Sequence, residues 1–257
     1  MFFNGKYSIL KKMKYVADQK GIIDRYMKEA EGWALHLENT KKAIIEGAQD
    51  KKKGSCAILG SGWLLDVPIE FLSQHFETVY LFDVLHPTQI KHKLHKIPNV
   101  ILVEQDITGG AIREFFDSVQ MFKSLKKRKE VEDFNFNGFA YKVEFDYVVS
   151  VNILNQLDTI LIDYIRGYNL YSEAELLVLR EKIQQKHLDS LPKGKSCLIT
   201  DCEELVYNQR NELELKSNLI YIALNPLQIK ETWQWSFDRQ NYRPGKNIVF
   251  QVVSLTI

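Results

Sequence analysis

The first fifty positions carry a helical rhythm. Ile23, Met27, Ala30, Ala34, Leu37 and Ile44 fall on one stripe, with Lys41 at its one polar step. A shorter amphipathic pattern over 9–16 precedes it, and Gly21 reads as the break between the two. The charged turn 49–54 (QDKKKG) closes the segment. Beyond it, short apolar runs alternate with amphipathic stretches. The runs are 55–59 (SCAIL), 78–82 (TVYLF), 100–103 (VILV), 145–151 (FDYVVSV) and 196–200 (SCLIT). Helical patterns cover 67–75, 87–96, 158–168 and 172–191. Near-continuous apolar strands alternating with helices predict an α/β fold of three layers, its sheet mostly parallel and covered on both faces. The alternating runs 227–237 and 247–257, joined through Pro244-Gly245, predict a C-terminal antiparallel strand pair. The span 109–143 exceeds a simple crossover and predicts an inserted helix and loop.

Composition narrows this picture only a little. At about 150 residues per domain, 257 residues allow one α/β domain with an added segment. The expected division is an N-terminal helical segment, 1–53, and a domain over 54–257. Apolar residues make up 45% and charged residues 26%, which excludes a largely disordered chain. Lys and Arg exceed Asp and Glu by one, 34 − 33, so no global field attracts a polyanion. Three cysteines and no signal-like start lead us to expect a reducing, cytoplasmic setting. No stretch approaches the roughly 18 apolar residues of a membrane span. Neither nucleic acid nor membrane is expected as a partner.

The chemistry concentrates at strand ends. Strand 55–59 runs directly into Gly60-Ser61-Gly62, where a ligand can approach backbone that has no Cβ, ahead of a helix. Taken alone, Gly-x-Gly is a weak signal. Asp83 ends the second strand 23 residues after Gly60, where a carboxylate can accept both hydroxyls of a ribose. Asp106 and Ile107 follow the third strand and suit an exocyclic amine and the face of a base. Open α/β sheets bind ligands at these carboxyl ends. A dinucleotide site would also want a third glycine, and that position holds Leu65.

In these segments the sequence resembles the class I, Rossmann-like S-adenosylmethionine-dependent methyltransferases. CAILGSGWLLD resembles their glycine motif, VYLFDV their ribose-binding strand end, and VILVEQD their adenine-contacting strand end. FDYVVSVNILNQL resembles their fourth motif, and the closing β-pair their sixth and seventh strands. The resemblance covers roughly 54–257 and implies a seven-stranded sheet whose last strand inserts antiparallel. It implies S-adenosylmethionine as cofactor, held by Gly60, Ser61, Gly62, Asp83, Asp106 and Ile107. It also makes the helical segment 1–53 a candidate lid, with core packing of Trp33 as the equal alternative. The chain departs from the motif twice. Ile58 stands where the family carries an acidic residue, and Leu64 where it carries a third glycine. Asp66 reads as a carboxylate at a helix N-terminus.

The acceptor is less legible. Ser150 and Asn152 read either as positioning cofactor or acceptor by hydrogen bonds, or as caps of the helix that follows. That loop lacks the Asn/Asp-Pro-Pro-aromatic signature and any cysteine, so a small-molecule acceptor methylated by in-line transfer is expected. The rival readings are a non-catalytic nucleoside- or protein-binding module and an NAD-dependent oxidoreductase. His92 and His95, among lysines and without a third ligand, read as a solvated helix rather than a metal site. The run 123–129 (KSLKKRK) reads as a solvated helix face. Cys197 and His187 read as structural.

Overall fold

The computed structural model describes residues 2–257, with side chains described from Lys6 onward. Two helices, α1 (Phe2–Lys12) and α2 (Tyr15–Ala48), precede an alternation of strands and helices. Five parallel strands follow: β1 (Ser55–Leu59), β2 (Thr78–Asp83), β3 (Val100–Glu104), β4 (Tyr147–Val151) and the first part of β5 (Ser196–Asn208). Helices α3 (Ile69–His75), α4 (Thr88–Leu94), α5 (Ala111–Leu125), α6 (Gln156–Arg166) and α7 (Glu173–Ser190) connect them. Strands β6 (Leu213–Asn218), β7 (Ile229–Arg239) and β8 (Lys246–Thr256) complete one mixed sheet. Its order is β3-β2-β1-β4-β5-β8-β7, with β8 antiparallel to both neighbours.

The predicted α/β architecture is therefore present, with one strand more than expected. β6 pairs antiparallel with the far half of β5, beyond the point where β4 ends. Every residue of β6 is exposed or half-buried. A strand covered on neither face lacks the buried alternation from which strands are read.

Strand alternation splits the core into two layers. Ala57 and Leu59 pack with Phe115, Leu161 and Leu198 on the α5–α7 side. Cys56 and Ile58 pack with Ile44, Leu72 and Val149 on the side of α2–α4. The inserted span holds α5 and then an irregular loop that buries Val131, Phe134 and Phe136. Among the described residues no helix is long and apolar enough to cross a membrane.

Helix α2 departs from its sequence reading in two ways. It runs unbroken through Gly21, and the chain turns instead at Lys14, in the left-handed region at φ 70°. A glycine in a long helix costs only about 1 kcal/mol relative to alanine, which packing offsets. Its stripe is also rotated. Met27 is 75% exposed, while Glu29, Trp33, His36, Thr40, Ala43, Ile44 and Ala48 are buried. The reason lies on β7. Trp33 stacks on Phe237 (5.6 Å, 15°), meets Trp235 edge-on (4.9 Å, 82°) and donates its indole N–H to the Phe237 carbonyl at 2.9 Å. Glu29 is tolerated there because it accepts from the Arg239 backbone N–H and side-chain Nε, at 3.0 and 3.2 Å.

The basic run likewise leaves its helix. Lys126 ends α5 in the left-handed region, Arg128 pairs with Glu130 and Glu175, and Lys129 pairs with Glu114. His92 and His95 are exposed, as the sequence reading has them.

Candidate functional site

A cavity of about 180 Å³ opens at the carboxyl ends of β1, β2 and β4, beneath α2 from Tyr15 to Leu37. Its first wall is backbone. Gly60 and Ser61 both donate their N–H to the Phe82 carbonyl, at 2.9 and 3.1 Å, tying the glycine turn to the end of β2. Gly60 sits at φ 84°, and a Cβ there would lie 2.0 Å from Ile153 Cγ2. Only glycine satisfies both constraints. The Gly62 N–H donates to Asp83 Oδ2 at 2.8 Å. Burial pushes the Asp83 carboxyl up to about 6, against the N–H groups of Gly62, Val84 and Leu85 that favour its charge.

Leu64 occupies the left-handed region at φ 56°. The position at which the resemblance implies glycine thus keeps a backbone that glycine would serve, with a leucine side chain buried beneath the turn. Ile58, at the implied acidic position, is fully buried in the core.

The second wall is made of side chains. Tyr15, Asp18, Gln19, Ile22, Trp33 and His36 of α2 all face the cavity. Gln19 Nε2 donates to the Leu85 carbonyl at 2.7 Å, and Trp63 Nε1 donates to the Gln19 carbonyl at 2.7 Å. Those bonds tie α2 to the loops after β1 and β2. His36 stacks on Trp235 with ring centroids 3.9 Å apart, 5° from parallel. Trp233 Nε1 lies 3.1 Å from His36 Nδ1. An indole N–H only donates, so Nδ1 accepts and the imidazole proton sits on Nε2. Burial pulls the His36 pKa down to about 3, so the ring is neutral.

The floor is the turn after β4. Asn152 adopts φ 50°, a left-handed position that asparagine tolerates. Its amide lies 2.7 Å from Asp66 Oδ2 and 3.1 Å from His36 Nε2. Asp66 corrects its sequence reading. It stands three positions before α3, whose N-cap is Pro68, and its carboxylate lines the cavity. Burial raises its pKa, opposed by the Asn152 amide, its own backbone N–H and the charge of Lys41. The charged residues that line the cavity are Asp18, Asp66 and Asp83; among the described residues no lysine or arginine does.

Of the residues singled out from the sequence, Gly60, Ser61, Gly62, Asp83, Ile107 and Asn152 converge on this cavity. Two do not. Asp106 Oδ1 accepts from the Thr108 backbone N–H and hydroxyl at 2.9 and 2.5 Å, closing its own turn ahead of α5. Ser150 is fully buried, with its Oγ 2.8 Å from His187 Nε2 on α7. Neither Ser150 nor Asn152 caps α6, whose N-cap is Asn155. Sequence reasoning missed Tyr15, Asp18 and Gln19. The available signal was Trp63, a large aromatic directly after the glycine pair that needs a partner for its N–H.

No family model matches the sequence, and no curated protein matches it. Similar solved structures include Burkholderia thailandensis 1,6-didemethyltoxoflavin-N1-methyltransferase with bound 1,6-didemethyltoxoflavin and S-adenosylhomocysteine. That likeness has 10% identity and a TM-score of 0.43, covering 98% of this chain and 90% of that one. The DhpI complex with S-adenosylhomocysteine is similar at 11% identity and a TM-score of 0.37, covering 96% of this chain and 97% of that one. The DhpI–SAM–HEP complex has 10% identity and a TM-score of 0.36, covering 90% of this chain and 96% of that one.

Proposed function

We propose that this chain is an S-adenosylmethionine-dependent methyltransferase acting on a small-molecule acceptor. The observation that carries the reading is Asp83. Its carboxylate ends β2, is held by the Gly62 N–H at 2.8 Å, and faces a cavity at the point where the sheet order reverses between β1 and β4. Ligands bind open α/β sheets at that switch point.

The lining fits an adenosyl group. Asp83 would accept from the two ribose hydroxyls, Ile107 and Val84 supply apolar surface for the base, and Gly60 leaves the backbone open to close approach. Ser61 and Gly62 would hold the turn against the ribose. Asp106, whose Oδ1 is engaged with Thr108, would support this wall through its turn. Ser150 would act through the position of β4.

When bound, the cofactor supplies an electrophilic methyl group on a sulfonium sulfur. The chain's own part is to orient and to exclude water. Asn152 would hold the cofactor's side of the cavity, and Trp33, His36 and Trp235 would close the space behind the acceptor. The segment 1–53 would serve as the lid, pinned at Gln19 to Leu85 and to Trp63.

Titration calorimetry with S-adenosylmethionine and S-adenosylhomocysteine tests the reading. Micromolar binding by either, weakened in Asp83→Ala, supports it. No heat at millimolar ligand removes it.

A further inference from the structure

The corner formed by Asp66, Asn152 and His36 lacks one hydrogen-bond donor. Asn152 is only 7% exposed, and its Oδ1 is buried without a partner. As oriented, its Nδ2 donates to Asp66 Oδ2 at 2.7 Å while the same nitrogen faces the N–H of His36 Nε2 at 3.1 Å. Turning the amide over satisfies His36, because the carbonyl oxygen then accepts from Nε2–H. It also sets that oxygen against the Asp66 carboxylate with no hydrogen between them. Either way a buried acceptor is left over, and such acceptors are costly to leave bare. Among the described residues no lysine or arginine forms an ion pair with Asp66.

We propose that Asp66 and Asn152 bind the alkylammonium group of the cofactor's aminoacyl chain. An ammonium carries three donors and no acceptor, so it supplies the missing hydrogen in either amide orientation. Its charge meets a cavity whose charged lining residues are all carboxylates, Asp18, Asp66 and Asp83. The acidic position of the glycine motif cannot serve this role, since it holds the buried Ile58. Here the acid comes after the turn, carried by the chain that leads into α3.

The assignment rests on the adenosyl reading of the cavity, and two probes separate the two ideas. S-adenosylhomocysteine carries the ammonium; 5′-methylthioadenosine shares the adenosine and the thioether but lacks the aminoacyl chain. By calorimetry the unaltered protein should bind S-adenosylhomocysteine about tenfold or more tightly, in line with a charge-assisted hydrogen bond. Asp66→Asn should weaken S-adenosylhomocysteine by about tenfold and leave methylthioadenosine within about twofold, which also serves as the control for folding. If Asp66 only repelled the ligand's carboxylate, Asp66→Asn would tighten S-adenosylhomocysteine instead. That result, or an equal effect on both probes, or no effect on either, overturns the ammonium assignment and leaves the adenosyl reading standing. Failure of both probes to bind the unaltered protein overturns the adenosyl reading, and the assignment with it.

Discussion

The two walls of the cavity are built on opposite principles. One is a backbone turn, in which Gly60 and Ser61 donate to one carbonyl and no side chain fits at Gly60. The other is a helix face of aromatic and polar side chains, in which Trp33 and His36 lie against Trp235 of β7. Errors in the first wall are steric and local. Errors in the second are spread over a long packed surface, because α2 reaches from the cavity to the turn after β7.

Trp33→Ala should therefore have the largest effect. Deleting a buried tryptophan costs about 3–5 kcal/mol. In a domain of this size that lowers the melting temperature by roughly 10 °C. A shift below about 4 °C in a thermal melt would mean that α2 is dispensable to the fold and acts as a cover only. Gly60→Ala follows at about 2–4 kcal/mol, combining a strained positive φ with a clash on Ile153. Removing the clash in Gly60→Ala/Ile153→Ala should not restore stability, since the backbone strain remains and a cavity is added. Urea melts of the single and double variants check this.

Ligand binding sharpens the contrast further. Asp83→Ala should weaken adenosyl nucleosides by about 1.5–3 kcal/mol, roughly ten- to a hundredfold in calorimetry. The pH dependence has two opposite signs. The Asp83 carboxyl is raised to about 6 in the folded chain, so the folded state holds its proton longer than the unfolded one. Its contribution to stability is present below the unfolded pKa and is lost as pH rises through about 6. Asp158 and Asp201, also raised to about 6 by burial, act in the same direction. The proposed ribose contact needs the ionised carboxylate, so nucleoside affinity should fall as pH drops through about 6. Lowering pH from 7 to 5 should thus raise the unliganded melting temperature while weakening the nucleoside. Asp83→Asn should flatten the binding profile.

The backbone wall was legible in the sequence for a physical reason. A turn that admits no Cβ leaves glycine in the sequence, as at Gly60, and a carboxylate that closes an apolar strand stands out beside it, as at Asp83. The helix wall was not. Its buried face carries Glu29, His36 and Thr40, so the apolar stripe through Met27, Ala30 and Ala34 pointed outward. Glu29 and His36 are buried because partners distant in sequence satisfy them: Arg239 for Glu29, Trp233 for His36. Periodicity within one helix holds no record of such partners. Asp66 was misread for the same reason, since its orientation is set by Asn152, 86 positions away. Asp106 is the opposite case, because its turn at Thr108 is local and closes on itself.

Leu64 joins the backbone turn to the packed layer beneath α2 and gives the finest test. Its backbone is left-handed, like a glycine of the turn, yet its side chain is 6% exposed and packs in the α2 layer of the core. Truncation to either alanine or glycine removes the same packing, apart from one methyl group. The two variants then differ mainly in the backbone. Alanine keeps the left-handed penalty of roughly 1–2 kcal/mol, and glycine escapes it. Glycine's greater freedom in the unfolded chain returns part of that difference. Leu64→Gly should consequently be more stable than Leu64→Ala by about 1 kcal/mol, reversing the order found at ordinary positions. Paired urea melts read this directly. If Leu64→Ala is the more stable, the turn relaxes out of the left-handed region when the side chain is removed, and it is the buried leucine that holds the backbone there.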